Sequence, residues 1–318
     1  MRALWLEKQQ LQFRKDVALP VTKSGDVLIR TKLAGICSTD LELVNGYYPF
    51  IGIPGHEFVG EVVEAPGFPD LMGKRVVGEI NIVCGHCPHC LQGRSSHCVN
   101  RKVLGIAGRN GVFADYFTLP AENLHILPNS ISDEQAVFTE PIAAALEIQE
   151  QIRINPADRV LVVGAGRLGQ LVAQTLSLTG CDLSVVARYA KQRRLLENRR
   201  INVLDEDNIP QGEMDIVVDT TGSPAGYLAA RFAVRSRGTL VMKSTYAGTL
   251  ELNASALVVD EITVIGSRCG PIAPAIKLLK DHLVDPVLLI EESFSINDSI
   301  RAIQRAGERG ALKILLTY

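Results

Sequence analysis

Long apolar runs and a surplus of one charge sign are both missing from this sequence. Its 318 residues carry a formal net charge of −2, and basic residues never gather beyond short runs. That balance argues against nucleic acid or an anionic membrane as a partner. No apolar stretch reaches the roughly 18 residues a membrane span needs. Met1-Arg2-Ala3-Leu4-Trp5 passes directly into charged sequence, with no apolar segment of the signal-peptide kind. The expectation is a cytoplasmic chain. Internal repeats, low-complexity tracts and flexible linkers are absent too. The length suggests two domains, and 47% hydrophobic residues can fill sizeable cores.

Cysteine is present but not in the layout of a disulfide scaffold. Four of the seven (Cys84, Cys87, Cys90 and Cys98) fall within 15 residues, while Cys37, Cys181 and Cys269 stand apart. Clustered cysteines in a chain of this kind point to metal rather than to disulfides. The array reads C-x2-C-x2-C-x7-C in a lobe, residues 84–98, that is rich in Gly, Pro and His. So little apolar content cannot hold the lobe together by burial, and a closed tetrahedral zinc on four thiolates would. An iron–sulfur cluster or a redox pair is the other reading of such spacing.

The stretch that organises the chain is Val160 to Gly180, VLVVGAGRLGQLVAQTLSLTG. Val160–Val163 reads as a strand buried on both faces. It runs directly into Gly164-Ala165-Gly166-Arg167-Leu168-Gly169, after which Leu171, Val172, Leu176 and Leu178 recur at helical spacing. Strand, glycine turn and helix in direct succession are the context of the dinucleotide fingerprint. Gly164 permits the turn, Gly166 lets a pyrophosphate approach, and Gly169 lets the helix close on the strand. The new helix's free N–H groups would hold the phosphates.

The chain before the fingerprint is β-rich, with Val27–Thr31, Gly60–Glu64 and Arg75–Glu79 as strands. Cys37 and His56 are zinc donors by chemistry, each with a carboxylate nearby, Asp40 and Glu57. Ser132-Asp133-Glu134-Gln135 is a capped helix start, and Glu140-Pro141 precedes another helical run. After the fingerprint, Asp182–Ala187, Met214–Asp219, Gly238–Met242 and Ile262–Gly266 read as parallel strands, with Ala225–Arg235 as a crossover helix.

Taken in order, Gly35 to Asp40, Gly55-His56-Glu57, the cysteine lobe, Glu140-Pro141 and the glycine fingerprint resemble the zinc-dependent medium-chain dehydrogenase/reductase family, the alcohol and polyol dehydrogenases. The resemblance spans essentially the whole chain. It implies an α/β protein: a β-rich, chaperonin-10-like (GroES-like) catalytic domain over 1–141, a doubly wound Rossmann domain over 142–266, and a return to the catalytic domain over 267–318. It implies two zincs per chain, a catalytic one on Cys37, His56 and Glu140 and a structural one on Cys84, Cys87, Cys90 and Cys98. Glu140 stands where the alcohol-dehydrogenase branch has cysteine, and Glu140-Pro141 looks more like the polyol and threonine branch. There the glutamate binds zinc directly or through water, and Glu57 can contribute. Thr39 is implied as the first proton-relay hydroxyl and Asp40 as the residue orienting His56. Where relatives often end the relay in histidine, this chain has Glu42.

For the cofactor, Gly164, Gly166, Arg167, Leu168 and Gly169 are the expected phosphate turn. The place of an NAD-selecting acid is taken by Ala187, with Arg188, Lys191, Arg193 and Arg194 following. No acid there repels a 2′-phosphate, and guanidinium forks can bind one, so NADP(H) is favoured over NAD(H). Thr221 is expected near the nicotinamide, and Lys313 is placed by resemblance on the pyrophosphate, an exposed structural lysine being the other reading. The resemblance further implies a homo-oligomer, dimer or tetramer, joined through the edge strand Ile262–Gly266. The activity implied is hydride transfer between nicotinamide and a small-molecule alcohol/carbonyl pair of the secondary alcohol or polyol kind. The alternatives are a non-catalytic NADPH-binding redox sensor and a zinc-independent enone or quinone reductase on the same fold. Tyr47, Tyr48 and Phe50 are candidates for an aromatic pocket wall or for ordinary packing.

Overall fold

The structure is a computed structural model that describes residues 1–245 and 248–318. It divides into two compact units: 1–140 with 272–318, and 141–271. The second boundary falls a few residues later than the sequence suggests. Ser267 remains tied to Lys243, whose Nζ donates to its hydroxyl at 2.9 Å, and Gly270 packs against the Ala143 carbonyl so closely that a Cβ would collide with it.

The first unit is built on a sheet ordered Leu124–Ile126, Arg75–Gly78, Glu57–Glu64, Asp26–Gly35, Lys313–Thr317, Ile290–Ser295, with Tyr116–Pro120 also pairing Asp26–Gly35. Asp26–Gly35 buries its alternate residues, among them Val27 and Ile29, the period-2 pattern of a half-buried strand. It is the long central strand because it serves three partners. Gly35 stands opposite Glu57 on one side and Leu315 on the other. The sequence alone does not reveal that second pairing, because its partner lies near the far end of the chain. The helix start at Ser132 is a reciprocal cap: its Oγ accepts from the Gln135 N–H at 3.2 Å, and Gln135 Oε1 accepts from the Ser132 N–H at 3.0 Å.

The second unit is a six-stranded, all-parallel sheet ordered Asn202–Leu204, Asp182–Val186, Arg159–Val163, Met214–Asp219, Val234–Met242, Thr263–Gly266. Val160, Leu161 and Val162 are fully buried, as a strand covered on both faces requires. The order reverses between Arg159–Val163 and Met214–Asp219, the switch point at which such sheets take ligands at their carboxyl ends. The strand Asn202–Leu204 escapes the sequence reading because three residues carry no usable periodicity. Among the described residues, no helix is long and apolar enough to cross a membrane.

Candidate active site and cofactor site

In the first unit, the turn after Asp26–Gly35 opens the short helix Ser38–Val44, capped by Cys37. Asp40 accepts the Cys37 N–H at 2.8 Å through Oδ2. Its other oxygen, Oδ1, lies 3.2 Å from His56 Nδ1, near enough for an ion pair though off the line of a good hydrogen bond. One carboxylate thus fixes the cap and faces the imidazole. The Cys37 thiol points at the Thr39 hydroxyl, 3.8 Å away.

Donor atoms of Cys37, His56 and Glu57 lie within 4.8 Å of one another. His56 and Glu57 are buried, and His56 Nδ1 and Glu57 Oε1 are enclosed without a hydrogen-bond partner. Orphaned buried donors and acceptors call for an ion or a partner. Burial works against charge on His56, but Asp40 and Cys37 outweigh it and hold its pKa well above the ordinary value. A metal must displace that proton. Glu140, half-buried in the first turn of Thr139–Gln151, lies outside this donor group. Glu57, expected only as a contributor, lies inside it.

Lys313 departs from the sequence expectation. It is 2% exposed, so the alternative of an exposed structural lysine does not hold. Its Nζ donates to Glu57 Oε2 and reaches the Ile36 carbonyl at 3.5 Å, and it stands 5.5 Å from the Phe138 ring centroid. The pairing of Lys313–Thr317 with Asp26–Gly35 puts it there. Gly35 is required beside it, since a Cβ at that position would strike Glu57 Oε2.

The four lobe cysteines form a second donor group. The Cys87 and Cys90 sulfurs lie 3.5 Å apart, as do those of Cys84 and Cys98. That is far beyond a disulfide bond of about 2.05 Å and near the ~3.8 Å edge of a tetrahedron with zinc–sulfur bonds of about 2.3 Å. Hydrogen bonds from the Cys90 and Val99 backbone pull the Cys87 thiol down to about 6. Desolvation and the neighbouring Cys87 push Cys90 up to about 12. Four thiolates coexist there only around a cation. The lobe has little else to hold it, with Leu91 and Val99 exposed.

In the second unit, Gly164 takes φ of +100° and Gly166 caps the helix Arg167–Ser177. A Cβ at Gly169 would collide with the Gly164 carbonyl, whereas one at Gly166 would meet nothing within 4 Å. The turn is therefore closed against the strand and open where a pyrophosphate would approach, so the residues present fit a dinucleotide. Arg167 and Leu168 are half-buried on its first turn. Thr221 is engaged locally: its N–H and hydroxyl both donate to Asp219 Oδ1, at 2.9 and 2.8 Å.

Two residues at this turn were not singled out by sequence. The Thr220 hydroxyl lies 3.0 Å from both the Val163 and Gly164 carbonyls, which locks the turn from the neighbouring strand. Gln170 is fully buried and donates to the Gln192 carbonyl at 2.9 Å, tying the turn to the helix Ala190–Glu197. Nothing in the sequence marks either, since both act through contacts between elements. Arg188 and Arg193, just past Asp182–Val186, hold carboxylates of their own: Glu206 accepts from Arg188 at 2.8 and 3.0 Å, and Asp205 from Arg193 at 2.5 Å.

Residues 23–129 match the alcohol dehydrogenase GroES-like domain. D-arabinitol dehydrogenase 1 of Uromyces fabae is 30% identical over 99% of this chain and 96% of its own. Two solved structures share the fold over 100% of this chain and 99% of theirs, each with a TM-score of 0.90. One, from Sinorhizobium meliloti 1021, is described as a zinc-binding dehydrogenase bound to NADP and is 27% identical. The other, a short chain alcohol dehydrogenase of Escherichia coli CFT073 complexed with NADH, is 25% identical. With this identity carried along nearly the full length, the chain belongs to the zinc-dependent medium-chain dehydrogenase/reductase family of alcohol and polyol dehydrogenases.

Proposed function

We propose that this chain is a zinc- and NADP(H)-dependent oxidoreductase that interconverts a secondary alcohol or polyol with its carbonyl. The observation that carries the reading is the enclosed Cys37–His56–Glu57 donor group beside the Thr39 hydroxyl. When bound, zinc supplies Lewis-acid polarisation of the substrate oxygen and nicotinamide supplies the hydride acceptor or donor.

Cys37 and His56 hold the metal, with Glu140 as the third ligand, directly or through water, and Glu57 able to take its place. Asp40 orients His56 through Nδ1, and the Thr39 Oγ1 takes the proton of the alcohol and passes it on. Glu42, one turn further along the same helix, receives it. A conservative Glu42→Gln change should therefore shift the pH profile of turnover, and an unchanged profile would remove Glu42 from this path. Gly164, Gly166 and Gly169, with Arg167 and Leu168, hold the pyrophosphate, and Thr221 lines the nicotinamide end.

NADP(H) is preferred because Ala187 stands where an NAD-selecting acid would, with Arg188 and Arg193 behind it. The polyol assignment draws support from the arabinitol-dehydrogenase relative. Seven cysteines with no disulfide among the described residues suit a reducing, cytoplasmic setting. The strand Thr263–Gly266, at the sheet edge and largely exposed, joins subunits into a homo-oligomer.

The deciding experiment is metal content together with NADPH- and NADH-linked turnover on a panel of polyols, secondary alcohols and ketones. Two zincs and NADPH-linked turnover are expected. Two zincs with a clear NADH preference would overturn the cofactor assignment alone. One zinc without turnover on any member would overturn the enzyme reading in favour of a sensor, and absence of zinc would favour an enone reductase.

A further inference from the structure

The fork of Arg188 is already in use. Its Nε and Nη2 converge on one oxygen, Glu206 Oε1, at 3.0 and 2.8 Å. Arg193 Nη1 is shared between the Ala187 carbonyl at 3.1 Å and Asp205 Oδ1 at 2.5 Å. Both acids follow the strand Asn202–Leu204, which lies beside Asp182–Val186 in the sheet and faces the same carboxyl end. Two guanidinium groups and two carboxylates thus neutralise one another where an adenosine 2′-phosphate would be read.

We propose that Asp205 and Glu206 compete for the anion seat of Arg188 and Arg193, and so set how strongly the site selects a 2′-phosphorylated dinucleotide. The inference rests on the reading of those arginines as the 2′-phosphate clamp, and it adds the residues that oppose them. A phosphate must displace a carboxylate to enter, whereas an unphosphorylated ribose leaves both pairs intact. The displacement is feasible because the carboxylates are exposed: the side chains of Arg188 and Glu206 are 64% and 53% accessible, and Asp205 is 62% accessible on an Arg193 that is itself 25% accessible. Exposed pairs of this kind are weak, worth at most about fivefold in an equilibrium each. A phosphate that takes the fork bidentately, with greater charge, exceeds that. The acids hold the arginines ready and reduce the preference for NADP(H) without abolishing it.

The test uses two fragments on the full chain: 2′,5′-ADP, which carries the 2′-phosphate, and 5′-AMP, which does not. Dissociation constants come from displacement of NADPH fluorescence. Glu206→Gln should tighten 2′,5′-ADP about threefold, and Asp205→Asn/Glu206→Gln about tenfold, with 5′-AMP unchanged in both. Unchanged 2′,5′-ADP binding would overturn the inference. Weaker 5′-AMP binding would overturn it too, because Glu206 would then be reading ribose hydroxyls. Arg188→Gln separates the two levels. It should weaken 2′,5′-ADP about tenfold and spare 5′-AMP. If it does so while Glu206→Gln has no effect, only the present inference fails. If Arg188→Gln affects neither fragment, the NADP(H) assignment falls with it.

Discussion

Lys313 and Glu57 form a buried ion pair across 256 residues of chain, 2% and 1% accessible. The carboxylate that pairs with this ammonium belongs to the same donor group as Cys37 and His56. Neither charge has bulk water to turn to, so each depends on the other. Breaking a buried pair from one side costs about 3–5 kcal/mol, because the remaining charge is stranded. Lys313→Met should therefore lower the unfolding free energy by several kcal/mol in urea, and Glu57→Gln by a similar amount. Glu57→Gln/Lys313→Met should cost clearly less than the two singles added. Additive costs would show that the pair is not coupled.

The lobe of residues 84–98 should behave as a metal-folded unit. Cys98→Ser removes one of four sulfurs and leaves the group unable to close a tetrahedron. One zinc per chain in place of two is expected by elemental analysis, with new tryptic cleavage at Arg94 or Arg101. The donor group at Cys37 should keep its metal, since it shares no residue with the lobe. A variant that retains two zincs and resists trypsin would show that another residue closes the site.

Much of this is legible in the sequence because the chemistry sits in short local patterns. The fingerprint is contiguous, with Gly164 and Gly169 fixed by backbone conformation and sterics and Gly166 left open between them. The cysteine lobe also carries its full ligand set within one segment. The ion pair of Lys313 with Glu57 is illegible for the opposite reason. The lysine's partner is set by the antiparallel pairing of Lys313–Thr317 with Asp26–Gly35, and no local pattern encodes that register. Asp205 and Glu206 stayed hidden likewise. The strand that delivers them, Asn202–Leu204, is three residues long, too short to show a period. Burial pattern and turn chemistry reach a few residues along the chain, while sheet neighbours do not.

Thr220 offers a test of the phosphate turn that is indifferent to the cofactor's 2′ group. Its hydroxyl is the donor to the Val163 and Gly164 carbonyls at the strand-to-turn junction. Thr220→Val keeps the shape and removes the donor, which costs about 1–3 kcal/mol where an acceptor is left buried. If the turn relaxes, NADPH, 2′,5′-ADP and 5′-AMP should all weaken by a similar factor, about tenfold. A loss confined to the 2′-phosphorylated ligands would place the effect at the arginines instead.

The edge of the parallel sheet carries the last prediction. Thr263–Gly266 pairs only with Val234–Met242, so its outer N–H and C=O groups have no strand beyond them among the described residues. Soluble proteins seldom leave such an edge bare, and they protect one with charge, proline or a covering element. Here the edge reads Thr263-Val264-Ile265-Gly266 without a charge, and the preceding helix exposes Val258 and Val259 at 76% and 79%. A second copy related by a two-fold axis would pair edge to edge, the self-complementary contact that closed dimers use. Light scattering on the eluting protein should therefore give a multiple of the 34.6 kDa chain mass. Val264→Lys, which puts a charge on the edge and alters no residue of either donor group, should shift that mass toward one chain and leave both zincs bound. A wild-type chain that elutes as a monomer, or a Val264→Lys variant whose assembly is unchanged, would place the subunit contact elsewhere.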